Sequence, residues 1–200
     1  MKKLPLLMMV GLLALFTACQ QTKDDVTAPT RQFGIFRVQS DDTTIEMNGE
    51  ITSNALNSFN QLLAAYPNVN LINIKECGGS SDDDVNLQLS ALVHQRQINI
   101  HLMDNGLIAS GGTDFFLAGI KRTQGTNTRI GVHSWSTGTQ EATAFPRGHA
   151  EHLKYIQYYV SVGFTQQQAE DFYYFTINAA PAASMHWMTD AEITQYGILK

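Results

Sequence analysis

Asn105-Gly-Leu-Ile-Ala-Ser-Gly-Gly-Thr-Asp-Phe-Phe-Leu-Ala-Gly119 is the stretch of the chain that decides the fold. Ser110 and two glycines separate an apolar run from small and aromatic residues at helical spacing, a pattern typical of a hydroxyl at a helix N-terminus. Glycine at 111 and 112 lets backbone N–H groups approach a reacting carbonyl, because no side chain intervenes. Ser110 is therefore a candidate nucleophile, although the same pattern also serves as an ordinary cap and tight turn.

Two further segments flank this stretch in a fixed order. Leu71-Ile-Asn-Ile-Lys-Glu-Cys-Gly-Gly79 is a strand-like run that ends in two glycines, and Arg129-Ile-Gly-Val-His-Ser134 is one that ends in a histidine. With Ile108-Ala-Ser-Gly-Gly112 between them, they resemble the ClpP/crotonase superfamily, in particular serine peptidases of the ClpP and signal-peptide-peptidase (SppA) type. The resemblance is strongest over residues 44–135. It implies an α/β fold, a spiral of ββα units with a mainly parallel sheet and a helical C-terminal third.

The resemblance also implies roles for individual residues. Ser110 would be the nucleophile and His133 the general base, 23 residues later. The backbone N–H groups of Gly79 and Gly111 would form the oxyanion hole. A hydroxyl and an imidazole are the only side chains that this chemistry needs, since the oxyanion donors are backbone groups.

The third member of a catalytic triad is where the sequence departs from the family. Counting back from Tyr196-Gly-Ile198, which resembles the family's closing Tyr-Gly-Leu, the position of the aspartate falls on Met185. Asp171 is the candidate substitute, and Glu170 and Glu141 are further carboxylates that could orient His133. A Ser–Lys pair with Lys154 is another alternative.

The N-terminus has the features of a lipoprotein export signal. Lys2 and Lys3 precede a short apolar run, and small residues lead to Cys19. The sequence predicts a signal peptide over residues 1–18, a lipidated Cys19 with a flexible tether over 19–32, and a ClpP-like domain over 33–200. The predicted location is the bacterial cell envelope, facing the periplasm, with the outer membrane as one destination.

Charge and cysteine content limit the partners of the exported chain. The 13 basic residues less Lys2 and Lys3 leave 11 against 18 acidic residues, a formal charge of −7. This charge disfavours nucleic acid as a partner. If Cys19 carries lipid, only Cys77 remains, which excludes an intramolecular disulfide. The expected partners are a peptide or protein substrate, the membrane through the lipid, and, by resemblance, a second copy in a homo-oligomer.

Local patterns predict several helices. Ser53 is expected to cap a helix whose apolar face includes Phe59 and Leu62, and Lys121-Arg122 fits a helix end. Thr165-Gln-Gln-Gln168 and Thr189-Asp-Ala-Glu192 are capping-box patterns. The aromatic set of the C-terminal third favours a core or an oligomer contact over a binding site. This set is Tyr155, Tyr158, Tyr159, Phe172, Tyr173, Tyr174 and Phe175.

The function predicted from these observations is a membrane-tethered periplasmic serine hydrolase, in the first instance a peptidase. The alternative is a catalytically inactive ClpP-like binding or scaffold lipoprotein, which the missing aspartate favours. A crotonase-type acyl-CoA enzyme ranks third. No metal and no cofactor are expected, because His149-Ala-Glu-His152 lacks the form of a zinc-peptidase helix.

Overall fold

The structure is a computed structural model that describes residues 30–200, and the strands of this part form one mixed sheet. The strands are β1 (Gln32–Phe33), β2 (Phe36–Val38), β3 (Thr44–Asn48), β4 (Leu71–Cys77), β5 (Asn99–Ala109), β6 (Arg122–Gln124), β7 (Arg129–Val132) and β8 (His186–Trp187). Their order is β1-β2-β3-β4-β5-β7-β8, and β6 also pairs with β5. Pairing is parallel from β3 to β7 and antiparallel at both edges. The predicted α/β class with a mainly parallel sheet is confirmed.

Helices connect the parallel strands and make up much of the C-terminal third. They are α1 (Ala55–Ala65), α2 (Asp83–Gln95), α3 (Gly111–Leu117), α4 (Ala150–Ser161), α5 (Gln166–Ala179) and α6 (Asp190–Gln195). Helices α1, α2 and α3 are the crossovers that parallel neighbours require. In the described part of the chain, no helix is long and apolar enough to cross a membrane.

The core lies between the sheet and these helices. Ile72 and Ile74 on β4 are fully buried, and so are Phe59 and Leu62 on α1. The ring of Phe59 packs edge-on against Phe36 of β2, with centroids 5.1 Å apart. Burial of each such side chain contributes about 1.5–3 kcal/mol, so the sheet and its helices are held mainly by apolar packing.

Strand β5 is longer than the sequence predicts and changes partners along its length. Its first half pairs with β6, as in Ile100 with Arg122. Its second half pairs with β7, as in Ala109 with Gly131. Alternating apolar and polar residues predict a strand over residues 98–103, followed directly by the turn of Ser110. The strand instead continues to Ala109 and delivers Ser110 beside β7.

Helix caps agree with the sequence at two of three positions. Thr165 with Gln168 and Thr189 with Glu192 form the predicted capping boxes of α5 and α6. Ser53 does not cap α1, which begins after Asn54 without a side-chain cap. The Ser53 hydroxyl instead donates to the Asp82 carboxylate at 2.7 Å. A tertiary acceptor therefore replaces the local one.

The structure also corrects the prediction for Arg122, which lies in β6 and not at the end of a helix. It is 4% exposed, and its guanidinium donates to the carbonyls of Leu117, Gly119, Gly197 and Ile198. Burial lowers the pKa of this guanidinium to about 10. The side chain thus fastens the C-terminus to the end of α3.

The predicted signal peptide (residues 1–18) and Cys19 lie outside the described residues, as does the tether up to residue 29. Gln32, which the sequence assigns to the tether, is the first residue of β1 and pairs with Arg37. The boundary of the domain at residue 33 otherwise stays a prediction.

Candidate active site

Ser110 lies at the sharp turn where β5 ends and α3 begins. Its backbone has φ 52° and ψ −130°, a conformation that costs an L residue about 1–3 kcal/mol and is concentrated at functional sites. The N–H of Ser110 donates to the carbonyl of Gly131 on β7 at 3.0 Å. The hydroxyl of Thr113 donates to the same carbonyl at 2.8 Å. The turn is thereby fixed to the strand that precedes His133.

Both glycines after Ser110 are required by close packing. A Cβ atom on Gly111 would lie 2.8 Å from Cβ of Ser80, and one on Gly112 would overlap the carbonyl oxygen of Cys77. The carbonyl of Gly111 also accepts from the buried amide of Asn86 at 2.9 Å. The start of α3 can therefore rest on the end of β4 only without side chains at these positions.

His133 follows β7 directly, and one of its ring nitrogens has a defined partner. Nδ1 lies 3.1 Å from the carbonyl oxygen of Ala182. Since a carbonyl only accepts, Nδ1 carries the proton and donates it, which leaves Nε2 of the neutral ring as an acceptor. This is the tautomer that a general base for a serine needs.

Ser110 and His133 line the same cavity, which has a volume of about 50 Å³. Ser110 Oγ caps no helix N–H group, and Nε2 of His133 has no hydrogen-bond partner among residues 30–200. The two groups thus share one partly open cavity without a hydrogen bond between them. Catalytic hydrogen bonds are often long in empty sites and shorten when substrate binds.

Gly79 and Gly111 carry unpaired N–H groups next to the serine. Within the described chain, neither N–H donates a hydrogen bond to another protein group. A Cβ atom on Gly79 would lie 3.4 Å from Cβ of Ser110 and 3.8 Å from its Oγ. Two free donors beside a hydroxyl are the arrangement that an oxyanion hole requires.

The partner of His133 Nδ1 is a backbone carbonyl rather than a carboxylate. The N–H of that same residue, Ala182, donates to both carboxylate oxygens of Glu141, at 3.2 and 3.1 Å. The N–H of Ser134 donates to the carbonyl of Ala180 at 2.8 Å. These contacts hold the segment after α5 against the end of β7. Glu141, one of the suggested substitutes, therefore contacts Ala182 and not His133 itself.

The other candidates for the third member lie elsewhere. Asp171 is exposed on α5 and accepts from Gln167 at 2.8 Å, so it does not orient His133. Glu170 is paired in the same way with Gln166. The side chain of Met185 packs over Gly131, where a Cβ atom would lie 2.8 Å from its sulfur.

Lys154 does not reach the cavity of Ser110. Its Nζ pairs with Asp84 at 3.2 Å, and 43% of its side chain is exposed. A Ser–Lys arrangement is therefore absent from the described structure.

Asp114 is a cavity residue that the sequence reasoning missed. It lies one turn after Ser110 on α3, and its Oδ1 accepts from the hydroxyl of Tyr159 at 2.6 Å. Burial raises the pKa of this carboxyl to about 7, with a further contribution from the charge of Asp83, while the hydrogen bond from Tyr159 opposes the rise. A single acidic residue within Thr-Asp-Phe-Phe-Leu was the available signal.

The aromatic set of the C-terminal third is mainly core, as predicted, but it also lines the cavity. Tyr155, Tyr159 and Tyr173 are buried and form part of the cavity wall. Trp135, Tyr155 and Tyr173 are stacked in succession, with centroids 6.2 and 5.7 Å apart. The sequence could not show that these rings meet beside Ser110.

Neither a metal site nor a reactive thiol is found in the described part of the chain. Residues 30–200 contain no group of three or more His, Cys, Asp or Glu side chains that could hold a metal ion. His152 is buried and bound to Tyr173 and to the Phe145 carbonyl. Burial raises the pKa of the Cys77 thiol to about 11, which keeps it protonated at neutral pH.

Known structures share this architecture. A stomatin-specific membrane-bound protease, 1510-N, solved with a substrate peptide, aligns with a TM-score of 0.51 and 22% identity over 79% of this chain and 72% of its own. The ClpP catalytic domain from Plasmodium falciparum aligns with a TM-score of 0.53 and 20% identity over 80% and 83%. The chain has the ClpP/crotonase fold.

A structure of the crotonase type also aligns with this chain. An enoyl-CoA hydratase-like protein from Streptomyces coelicolor A3(2) aligns with a TM-score of 0.53 and 13% identity, over 90% of this chain and 70% of its own. Neither a comparison with protein-family models nor one with curated proteins gave a match. At these identities the likeness concerns the fold, and the ClpP/crotonase fold serves more than one chemistry.

Proposed function

We propose that this chain is a serine hydrolase, in the first instance a peptidase, with Ser110 as nucleophile and His133 as general base. The observation that carries the proposal is the shared cavity: a strained Ser110 and a histidine whose Nδ1 donates to Ala182 line the same partly open space. The likeness of the fold to ClpP and to the stomatin-specific protease supports the peptidase class.

The reaction begins with attack on the carbonyl carbon of a peptide bond. As the bond between that carbon and Ser110 Oγ forms, Nε2 of His133 takes the hydroxyl proton. The carbonyl oxygen becomes an oxyanion and accepts hydrogen bonds from the N–H groups of Gly79 and Gly111, each of which contributes on the order of 3 kcal/mol. His133 then passes the proton to the leaving nitrogen as the C–N bond breaks.

Water completes the cycle by the same route. His133 takes a proton from the water that attacks the acyl-enzyme, and Ser110 recovers its proton as the ester bond breaks. The carbonyl of Ala182 fixes the tautomer of the imidazole throughout. A neutral carbonyl stabilises the imidazolium less than a carboxylate would, and loss of a triad carboxylate costs about 10⁴ in rate elsewhere. We therefore expect slow turnover.

Labelling with a fluorophosphonate probe tests the proposal. Wild type should be labelled slowly, and Ser110→Ala and His133→Ala should not be labelled. Ser161→Ala is the matched control, because its hydroxyl bonds the Tyr158 carbonyl on α4 and it is not among the residues that line the cavity. Labelling that survives Ser110→Ala would contradict the proposal.

A catalytically inactive binding or scaffold protein is the second candidate. It is favoured by Met185 at the family's aspartate position and by the lack of a hydrogen bond between Ser110 and His133. A folded wild type that resists the probe throughout about pH 6 to 9 would support this candidate, since a working pair is competent somewhere in that range.

The proposed location is the periplasmic face of a bacterial membrane, with a lipid on Cys19 as the anchor. The support is the sequence of residues 1–19, since acyl chains hold lipoproteins to a bilayer. Cys19→Ser should give a soluble or unprocessed protein on fractionation. Unchanged association of a processed chain with the membrane would reject the anchor.

A further inference from the structure

The cavity beside Ser110 has an acidic and aromatic wall that the proposed mechanism does not use. This wall consists of Asp83, Asp114, Trp135, Tyr155, Tyr159 and Tyr173. No lysine or arginine is among the residues that line the cavity. Two basic side chains have partners elsewhere: Lys154 pairs with Asp84 at the surface, and Arg122 is bound to backbone carbonyls. His133 is therefore the one basic side chain of the described chain that lines the cavity beside these two carboxyl groups. The carboxylate of Asp83 accepts from Ser80 and Tyr155.

Asp114 has an oxygen that no protein group satisfies. Its Oδ1 accepts from Tyr159 and its backbone carbonyl accepts from Tyr158, both at 2.6 Å. Within residues 30–200 its Oδ2 has no hydrogen-bond partner. In this part of the chain, every side-chain oxygen that is fully buried does have a partner. Oδ2 is therefore accessible, and Asp114 is a cavity-lining residue. A largely buried carboxylate is stabilised by a hydrogen-bond donor, and a cationic donor is the strongest one.

The aromatic part of the wall suits the same kind of ligand. Trp135, Tyr155 and Tyr173 stack at interplanar angles of 20° and 17°. Because the rings cover one another's faces, their edges and outer surfaces are the parts left to pack against the methylene groups of a ligand. The cavity of about 50 Å³ has room for about four waters. That size fits a narrow unbranched chain better than an aromatic ring.

We propose that this cavity binds the cationic side chain of the substrate residue that precedes the scissile bond. The assignment rests on the proposed function, because Ser110 lines the same cavity and attacks the carbonyl of the residue whose side chain enters it. Asp114 is the specificity-determining residue, and its free Oδ2 accepts from the ammonium or guanidinium group. The stacked rings enclose the methylene stem. The substrates are thus peptides with lysine or arginine at this position.

Two peptidyl diphenyl phosphonates that differ by one group test the proposal. One carries lysine before the phosphorus and the other norleucine, which has the same chain without the ammonium group. Ser110 Oγ attacks the phosphorus and a phenoxide leaves, so the labelling rate measures fit to the site. Wild type should prefer the lysine probe by about tenfold or more. Asp114→Asn should lower this ratio by about tenfold while the norleucine probe still reacts.

The control and a second variant keep the result interpretable. Asp190→Asn removes an exposed carboxylate on α6, outside the cavity, and should leave the ratio unchanged. Asp83→Asn, at the other carboxyl of the cavity, should lower the ratio at pH 8, where Asp114 is largely ionised in either chain, and it replaces Asp114→Asn if that variant fails to fold. A wild-type ratio of one or less overturns the proposal even if labelling of Ser110 proves the hydrolase.

A binding measurement separates this proposal from the catalytic one. In Ser110→Ala, which cannot react, calorimetry should show a lysine-containing peptide binding about tenfold more tightly than its norleucine counterpart. If wild type resists every probe but this difference holds, the catalytic function is wrong, while binding of a cationic side chain in the cavity stands. Equal affinity for the two peptides would overturn the specificity.

Discussion

The two sides of the cavity are held in different ways. On the nucleophile side, Ser110 lies between β5 and α3, and the glycines after it rest directly on Ser80 and Cys77. On the histidine side, His133 is held by the carbonyl of Ala182, in a segment outside regular secondary structure. The first side is fixed by close packing and the second by a few polar contacts. Mutations should therefore damage the two sides in different ways, through stability on one and through rate on the other.

The strongest test of the packed side is Gly112→Ala. The added methyl would overlap the carbonyl oxygen of Cys77, and overpacking against backbone costs about 3 kcal/mol. We expect a matching loss in the free energy of unfolding, measured with urea. Gly78→Ala is the control, because a Cβ atom there meets nothing within 4 Å. Equal stability of the two variants would show that the turn is not held by this contact.

The polar side is tested by Glu141→Ala, which removes the acceptor of the Ala182 N–H. A looser Ala182 misplaces the imidazole, and an error of about 1 Å can cost roughly 100-fold in rate. We expect a 10- to 100-fold slower fluorophosphonate reaction with little change in thermal unfolding. Glu141→Gln keeps an acceptor oxygen and should recover most of the rate. Slow labelling in both variants, or an equal loss of stability, would contradict a positioning role.

The sequence predicts the nucleophile side of the cavity better than the histidine side. Small residues at 110–112 leave a clear signal, since only glycine permits such contact, and the periodic apolar residues of the strands predict the sheet. The carbonyl that orients His133 leaves no signal, because any residue at 182 would supply one. Asp171 was a reasonable substitute by residue type, but its position on the exposed face of α5 depends on helix packing that no local pattern determines. The change of pairing partner along β5, from β6 to β7, also depends on packing that no local pattern determines.

The pH dependence of the labelling ratio tests the role of the acidic wall of the cavity. Around Asp114 lie Asp83 on α2, Tyr155, Tyr158 and Tyr159 on α4, Tyr173 on α5 and His133 after β7. Burial raises the pKa of all four tyrosines above the ordinary value of 10, so they stay neutral in the working range. The pKa of Asp114 itself is about 7.

Protonated Asp114 is neutral and attracts a cation less. The labelling ratio of the lysine to the norleucine probe should therefore rise about five- to tenfold between pH 6 and pH 8, as the carboxyl ionises. Asp114→Asn should show a flat ratio. A rise that persists in Asp114→Asn would mean that another group controls the preference.

The smallest effect is expected from Lys154→Ala. This variant tests whether a lysine or a histidine is the base for Ser110. A lysine that served as the base for Ser110 would have to lie within hydrogen-bond reach of the hydroxyl, and its loss would abolish labelling. Lys154 instead pairs with Asp84 at the surface, where 43% and 77% of the two side chains are exposed. Exposed pairs contribute about 0–1 kcal/mol. We therefore expect the free energy of unfolding to change by less than about 1 kcal/mol and the labelling rate by less than about twofold.

Because His133→Ala is expected to abolish the same reaction, the two variants measured side by side identify the base. A silent Lys154→Ala beside an inactive His133→Ala assigns the proton transfer to the histidine, and the reverse pattern would assign it to the lysine.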